Sequence, residues 1–289
     1  MDAGIQNTGR LRREGVRLIS RRRARASACS EKRSDDFAAM GVGCLASMVA
    51  AQVASGVRPD PVRWTGPVVG LLTAGAGCFA ASRQGAGRAV RAVGVAVSLG
   101  FAAEWVGVRA GVPFGRYSYT KVLRPQVGGV PVAVAAAWAG MGLASHAVAA
   151  TLVPEGRRWT RVAVGALALT AWDLFLDPQM LRLGLWRWAR SGVYRGVPVG
   201  NFAGWLGVSA LLMGVFDSLV GAEGDVSEGL VATYAVMAAM ETLAFAAVFE
   251  PRDPFVAVAG GTAMGAFAVP AAVLTARRRM VGRGGRWPR

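Results

Sequence analysis

Eight stretches of this chain run for about the thickness of a bilayer with almost no charge. They cover 37–57, 66–82, 91–108, 131–153, 161–181, 201–220, 230–249 and 254–276. A hydrocarbon core about 30 Å thick takes roughly 17–25 apolar residues as a helix. Each stretch is far longer than a soluble strand, and a backbone facing lipid must satisfy its own hydrogen bonds, so helices are the reading. The expected fold is all-α: a polytopic transmembrane helix bundle of seven or eight helices, the second and third stretches being short. Residues 1–36 are expected to be a disordered basic tail, 37–276 a single transmembrane helical domain, and 277–289 a basic cytoplasmic tail.

Charge placement narrows the partners. Charged residues make up 17% of the chain, below the roughly 25% of an ordinary soluble domain. The net charge is +16, with ten basic residues before Asp35 and six after Ala276. Basic tails beside apolar spans fit the positive-inside rule and contact with anionic lipid, so membrane lipid is the expected partner and nucleic acid is not. The expected location is the cytoplasmic membrane, multi-pass. No apolar core follows the basic start closely enough for a cleavable signal peptide. Two basic ends favour both termini inside and an even number of spans. Loops 109–130 and 182–200 then fall outside, yet each carries four basic residues, while loop 221–229 falls inside with three acids and no base. Either the two basic loops fold back as site elements or the span count differs.

The inventory of reactive side chains is short. His146 is the one histidine, so a histidine-clustered di-iron hydroxylase, desaturase or ketolase cannot be built here, and a zinc site is disfavoured. Cys29, Cys44 and Cys78 form no CxxC pair and no disulfide framework and read as small apolar residues. The segment GAGCFA at 75–80 loosely matches a dinucleotide fingerprint but lies inside an apolar span with no preceding strand. No metal ligand set and no cofactor motif emerges. Glycines four apart, at Gly66 and Gly70, at Gly196, Gly200 and Gly204, and at Gly261 and Gly265, would let helices approach closely.

Ionisable groups inside spans are costly and therefore candidates for function. They are Glu104, His146, Asp173, Asp177 and Glu241. Asp173 and Asp177 sit in AWDLFLDPQM at spacing i, i+4, on one helix face, before a Pro178 expected to end or kink the helix. Two carboxyl groups sharing a face in low dielectric cannot both ionise cheaply, so one is expected to stay protonated and serve as a general acid. The alternative is a structural pairing of each with a loop arginine, Arg116 or Arg195. Glu104 precedes the loop GVPFGRYSYT (111–120), which could set Arg116, Tyr117 and Tyr119 over a cavity mouth. Asn201 opens the sixth span and is read as orienting water or capping the helix. Trp172, Trp186, Trp188 and Trp205 crowd the same region, where aromatic faces can stabilise a cation by roughly 0.5–2 kcal/mol each. His146 and Glu241 read as satisfied interhelical hydrogen-bonding groups.

The motifs PFGRYSYT, GVPVAVAAAW (129–138), WDLFLDPQM (172–180), GLWRW (184–188) and GVPVGNFAGW (196–205) occur in that order. In this series the chain resembles the integral-membrane carotenoid biosynthesis family, the carotenoid 1,2-hydratases of the bisanhydrobacterioruberin hydratase type. The resemblance covers about residues 100–210 by motif. It implies an acyclic carotenoid end group as substrate, addition of water across its terminal double bond to give a tertiary alcohol, and other enzymes of the same pathway as partners. Alkene hydration needs a strong acid, a shielded tertiary cation and a placed water, and it uses no cofactor. The residues assign Asp173 or Asp177 as the acid. The second carboxyl, with Asn201 or Glu104, would orient the water, and the Trp and Tyr rings would shield the cation. Two rivals compete. A membrane prenyltransferase would use the aspartate pair for magnesium diphosphate, and a carotenoid carrier or proton-coupled transporter would use buried acids on a broken helix.

Overall fold

The computed structural model describes residues 29–58, 60–219 and 227–281. Eight helices are long and apolar enough to cross a membrane. They are α1 (Ala3–Val57, its spanning part Cys29–Val57), α2 (Val62–Gln84), α3 (Ala86–Ala110), α4 (Val132–Leu152), α5 (Arg158–Arg182), α6 (Val199–Leu219), α7 (Glu228–Leu243) and α8 (Pro254–Gly284, its spanning part Pro254–Val281). A π-helical segment, Ala244–Val248, continues α7. The protein is a multi-pass membrane protein. Eight successive helices put the described ends, Cys29 and Val281, at one end of the bundle, the tail end. Loops 58–61, 111–131, 183–198 and 249–253 lie at the other, the ribbon end.

Every expected span is present, and the two short ones are longer than expected. Gly85, at φ 83°, supplies the turn between α2 and α3. Up to that point nothing in the polar flanks breaks either helix, so both run on through Arg83, Arg88 and Arg91. Of the tail expected over 1–36, residues 1–28 lie outside the described residues. Residues 29–36 continue α1, where the Ser34 hydroxyl donates to the Ser82 carbonyl at 2.6 Å. Of the tail expected over 277–289, residues 277–281 continue α8 and the rest lie outside the described residues.

Helix α4 is the hub. In its spanning window 78% of residues are buried within the protein, against 17% for α1. Its Ala- and Gly-rich sequence permits this: a Cβ built at Gly140 would meet Leu72 Cγ at 2.7 Å, and one at Gly142 would meet Leu212 at 2.9 Å. Close approach at the four-residue glycine pairs is partial. Gly204 packs on Pro113 and Gly261 on Thr242, whereas Gly66, Gly70, Gly200 and Gly265 face open space.

The two basic loops of the ribbon end fold back on the bundle and pair with each other. Strand β1 (Tyr117–Tyr119) runs antiparallel to β4 (Trp186–Trp188), matching Tyr117 with Trp188 and Tyr119 with Trp186. A shorter pair, β2 (Gln126–Val127) with β3 (Val130–Pro131), lies between β1 and α4. Side chains alternate across a strand. Tyr117, Tyr119, Trp186 and Trp188 therefore face the bundle, while Ser118 and Arg187 are exposed. The arginines of these loops mostly decorate the outside of a lid whose inner face is aromatic.

Candidate active site

Helix α5 carries the aspartate pair. Asp173 is fully buried and Asp177 is 3% exposed. Pro178 does not end the helix, which continues to Arg182. Proline removes the N–H that would bond the carbonyl four residues back. That carbonyl, on Leu174, accepts instead from the Tyr194 hydroxyl at 2.8 Å. A residue of the lid loop thus replaces the missing backbone donor, and the helix stays intact one residue past Asp177. Partial burial pushes the Tyr194 phenol up to about 12, so it stays a donor.

Asn201 does not cap α6. Its Nδ2 donates to Asp173 Oδ2 at 2.6 Å and to Asp177 Oδ2 at 2.5 Å. The loop arginines take no part. Arg195 forms a bidentate pair with Asp253, at 2.7 and 2.8 Å, and lies over the Phe255 ring. Against the pull of partial burial, hydrogen bonds from Arg195 and from the Val256 N–H hold Asp253 below the usual carboxylate range. Arg116, expected at the cavity, is exposed and folds over Gly111. It belongs to the outer face of the lid, because strand alternation turns Tyr117 inward beside it.

Glu104 closes the third side. It is 4% exposed on α3. The Tyr117 hydroxyl donates to its Oε2 in a short contact, the Tyr119 hydroxyl donates to the same oxygen at 2.7 Å, and Trp138 Nε1–H donates to Oε1 at 3.1 Å. Burial, with the adjacent Glu104 carboxyl, pushes both phenols above their ordinary value, so they too remain donors. Two glycines on the same face of α3 make this possible. A Cβ at Gly100 would lie 2.6 Å from the Trp138 ring, and one at Gly107 would lie 2.8 Å from the Tyr117 hydroxyl. Small residues four before and three after an acid leave slots through which aromatic donors reach it.

Glu104, Asp177 and Asn201 share one small cavity with Tyr117, Tyr119, Trp186, Trp188 and Trp205. It has room for about one water molecule. Asp173 stands behind Asp177, outside the lining, with its Oδ1 unpartnered. The indole N–H groups of Trp186 and Trp188 also lack partners. Trp205 stacks on Trp138 with centroids 4.2 Å apart and meets Trp172 edge-on at 6.1 Å. Among the described residues, no cation pairs with any of the three carboxyl groups.

Apolar cavities adjoin this point. Val134, Leu176, Trp186 and Trp205 line both the small cavity and a neighbouring groove. That groove shares Thr65, Val69, Trp172, Leu176 and Met180 with a larger chamber between α1, α2, α5 and α7. Apolar surface thus lies directly beside the cavity that Asp177 lines.

The sequence reading thus brings Glu104, Asp173, Asp177, Asn201, Tyr117, Tyr119, Trp172, Trp186, Trp188 and Trp205 to one region, and only Arg116 stays out. It missed Trp138 and Phe114, which is 2% exposed between Tyr117, Trp138 and Trp205. Both lie in motifs quoted above, and the Gly100–Glu104–Gly107 spacing was the available signal. It also missed Asp217 on α6, which pairs with Arg161 at 2.6 Å and lies 3.9 Å from His146 Nε2. His146 thus lies beside an ion pair at the tail end, and its Nε2 makes no hydrogen bond.

Comparison with known proteins follows the same residues. Residues 65–268 match the sequence profile of carotenoid biosynthesis proteins. Over 186 residues the chain is 31% identical to bisanhydrobacterioruberin hydratase from Haloarcula japonica, an alignment covering 61% of each protein. No solved structure matches. The match spans the bundle from α2 into α8 and includes every carboxyl group of the site, so the chain belongs to the carotenoid biosynthesis protein family.

Proposed function

We propose that the protein hydrates the terminal double bond of an acyclic carotenoid end group, giving a tertiary alcohol, from within the cytoplasmic membrane and without a cofactor. One observation carries the reading. Two buried carboxyl groups, Glu104 and Asp177, line a small aromatic-walled cavity beside an apolar groove, with Asp173 behind them and no cation paired with any of the three among the described residues. The name of the Haloarcula japonica relative supports it.

In this mechanism Asp177, which lines the cavity, gives its proton to the less substituted carbon of the terminal alkene. The π pair becomes the new C–H bond and leaves a tertiary cation. The faces of Trp188, Trp205 and the two tyrosines stabilise that cation, by roughly 0.5–2 kcal/mol per ring, and exclude other nucleophiles. A water held by Glu104 and an indole N–H adds through oxygen, and its surplus proton passes to Glu104. The proton then returns to Asp177, so the sum is alkene plus water to alcohol. Asp173 and Asn201 position Asp177: the amide bridges the pair and fixes its orientation.

The test is expression in a lycopene-producing host followed by mass analysis of the pigments. Wild type should add one or two waters per molecule. Asp177→Asn should lower the yield by about 10²–10⁴-fold, the usual weight of a general acid. Unchanged pigment with wild type, or full yield with Asp177→Asn, would refute the proposal.

A further inference from the structure

Glu241 plays no part in the reaction proposed above. It lies on α7, 5% exposed, and its Oε2 has no hydrogen-bond partner. It lines the larger chamber, a cavity of about 310 Å³. Gln52 of α1 lines the same chamber. Its Oε1 is also buried and unpartnered, and its amide nitrogen reaches only Met237 Sδ, at 3.6 Å. Most of the remaining wall is aliphatic or aromatic. A buried polar group left unsatisfied costs about 1–3 kcal/mol. Two orphaned acceptors in one greasy cavity therefore mark the place of a donor that a ligand brings.

The ligand's chemistry follows from the wall. Acceptor oxygens select a hydroxyl over an ether or a ketone. The aliphatic lining selects a molecule that is otherwise hydrocarbon. Arg58, Arg182 and Glu250 line an adjoining cavity. On the inner side, Trp172, Leu176 and Met180 belong to both the chamber and the groove that leads to Asp177. One chain could thus lie with an end near each acid.

We propose that the chamber is a binding site for an isoprenoid alcohol, whose hydroxyl donates to the Glu241 carboxyl while its chain runs along Trp172, Leu176 and Met180 toward the acid site. Gln52 offers a second acceptor in the same space. The inference rests on the isoprenoid reading above and adds a recognition point on the far side of Trp172 from the chemistry. A step that installs a hydroxyl on an isoprenoid chain must then supply or precede the bound species.

Phytol tests this, because it is an isoprenoid alcohol with no terminal double bond to hydrate. Binding of labelled phytol to the full chain in lipid nanodiscs is measured against empty discs, with phytane and dioleoylglycerol as competitors. Wild type should bind phytol saturably, and phytane should compete at least about tenfold less well, as expected for one lost hydrogen bond to a carboxyl group. Glu241→Leu should erase that preference. Glu241→Gln keeps an acceptor oxygen and should retain the preference, which separates loss of the acceptor from loss of the fold. Asp177→Asn should bind phytol like wild type, so a failure of the hydration reading shows in the pigment assay and not here. Phytane competing as well as phytol, or Glu241→Leu binding like wild type, would overturn the proposal. Displacement by dioleoylglycerol as effective as by phytol would also overturn it, by identifying a site for membrane glycerides.

Discussion

Two acid clusters occupy opposite ends of this bundle, and their surroundings differ in kind. At the tail end, Asp217 is answered by charge, from Arg161 at 2.6 Å and Arg158 at 3.4 Å, with His146 Nε2 3.9 Å away. At the ribbon end, Glu104, Asp173 and Asp177 are answered only by neutral donors, two phenols, an indole and one amide. Arg158 and Arg161 begin the same helix that ends in the aspartate pair, and the loop arginines near that pair turn outward. A compensated buried acid holds elements together. An uncompensated one is kept at a cost to stability, the usual mark of a site that does chemistry.

The sharpest way to break this comparison is to neutralise one acid at each end. Asp177→Asn should abolish hydration, by about 10²–10⁴-fold, while the melting temperature in detergent stays level or rises, because one buried carboxyl group is gone. Asp217→Asn should do the reverse. It leaves the Arg161 side chain, 5% exposed, without its partner, so stability should fall by about 3 kcal/mol, with hydration per folded molecule unchanged. If both variants lose stability equally, the distinction between the two clusters fails.

A smaller effect is expected at Gly107. A Cβ there would sit 2.8 Å from the Tyr117 hydroxyl and 3.0 Å from Phe114. Gly107→Ala should push the phenol off Glu104 and lower hydration by about tenfold, the weight of one hydrogen bond to a charged group. A parallel change at Gly94, which faces open space on the same helix, should leave activity alone. The smallest effect belongs to the Arg195–Asp253 clasp. Asp253 is held below its ordinary value, so its stabilisation is complete above the unfolded value of about 3.9 and is lost as pH falls through the folded one. Arg195 is 48% exposed, which keeps the contribution below about 1 kcal/mol. Melting curves between about pH 6 and pH 3 should therefore show slightly less acid loss for Asp253→Asn than for wild type.

Much of this was legible in the residues. Apolar length alone marks the eight spans, because hydrocarbon admits few other backbones. The i, i+4 spacing places Asp173 and Asp177 on one face, and scarcity makes them conspicuous. Partners across the fold were not legible. Nothing local to Asn201 says that it reaches α5, and Pro178 reads as a break until Tyr194, 20 residues beyond Leu174, is seen bonding the freed Leu174 carbonyl. Arg116 and Tyr117 are neighbours in one motif, and only the pairing of β1 with β4 decides which turns inward. Asp217 was overlooked because a single acid near a span end looks like interface, and its three partners come from two other helices.

The aromatic lid joins strands separated by nearly seventy positions, and this bears on how the protein is made. Ribosome and translocon deliver the third span well before the fifth. Glu104 therefore enters the bilayer ahead of the tryptophan that binds it, and the aspartate pair emerges before the sixth span brings its amide. No partially synthesised product holds the finished acid pocket. The buried acids gain their full set of neutral donors only when the two halves of the polypeptide close on each other.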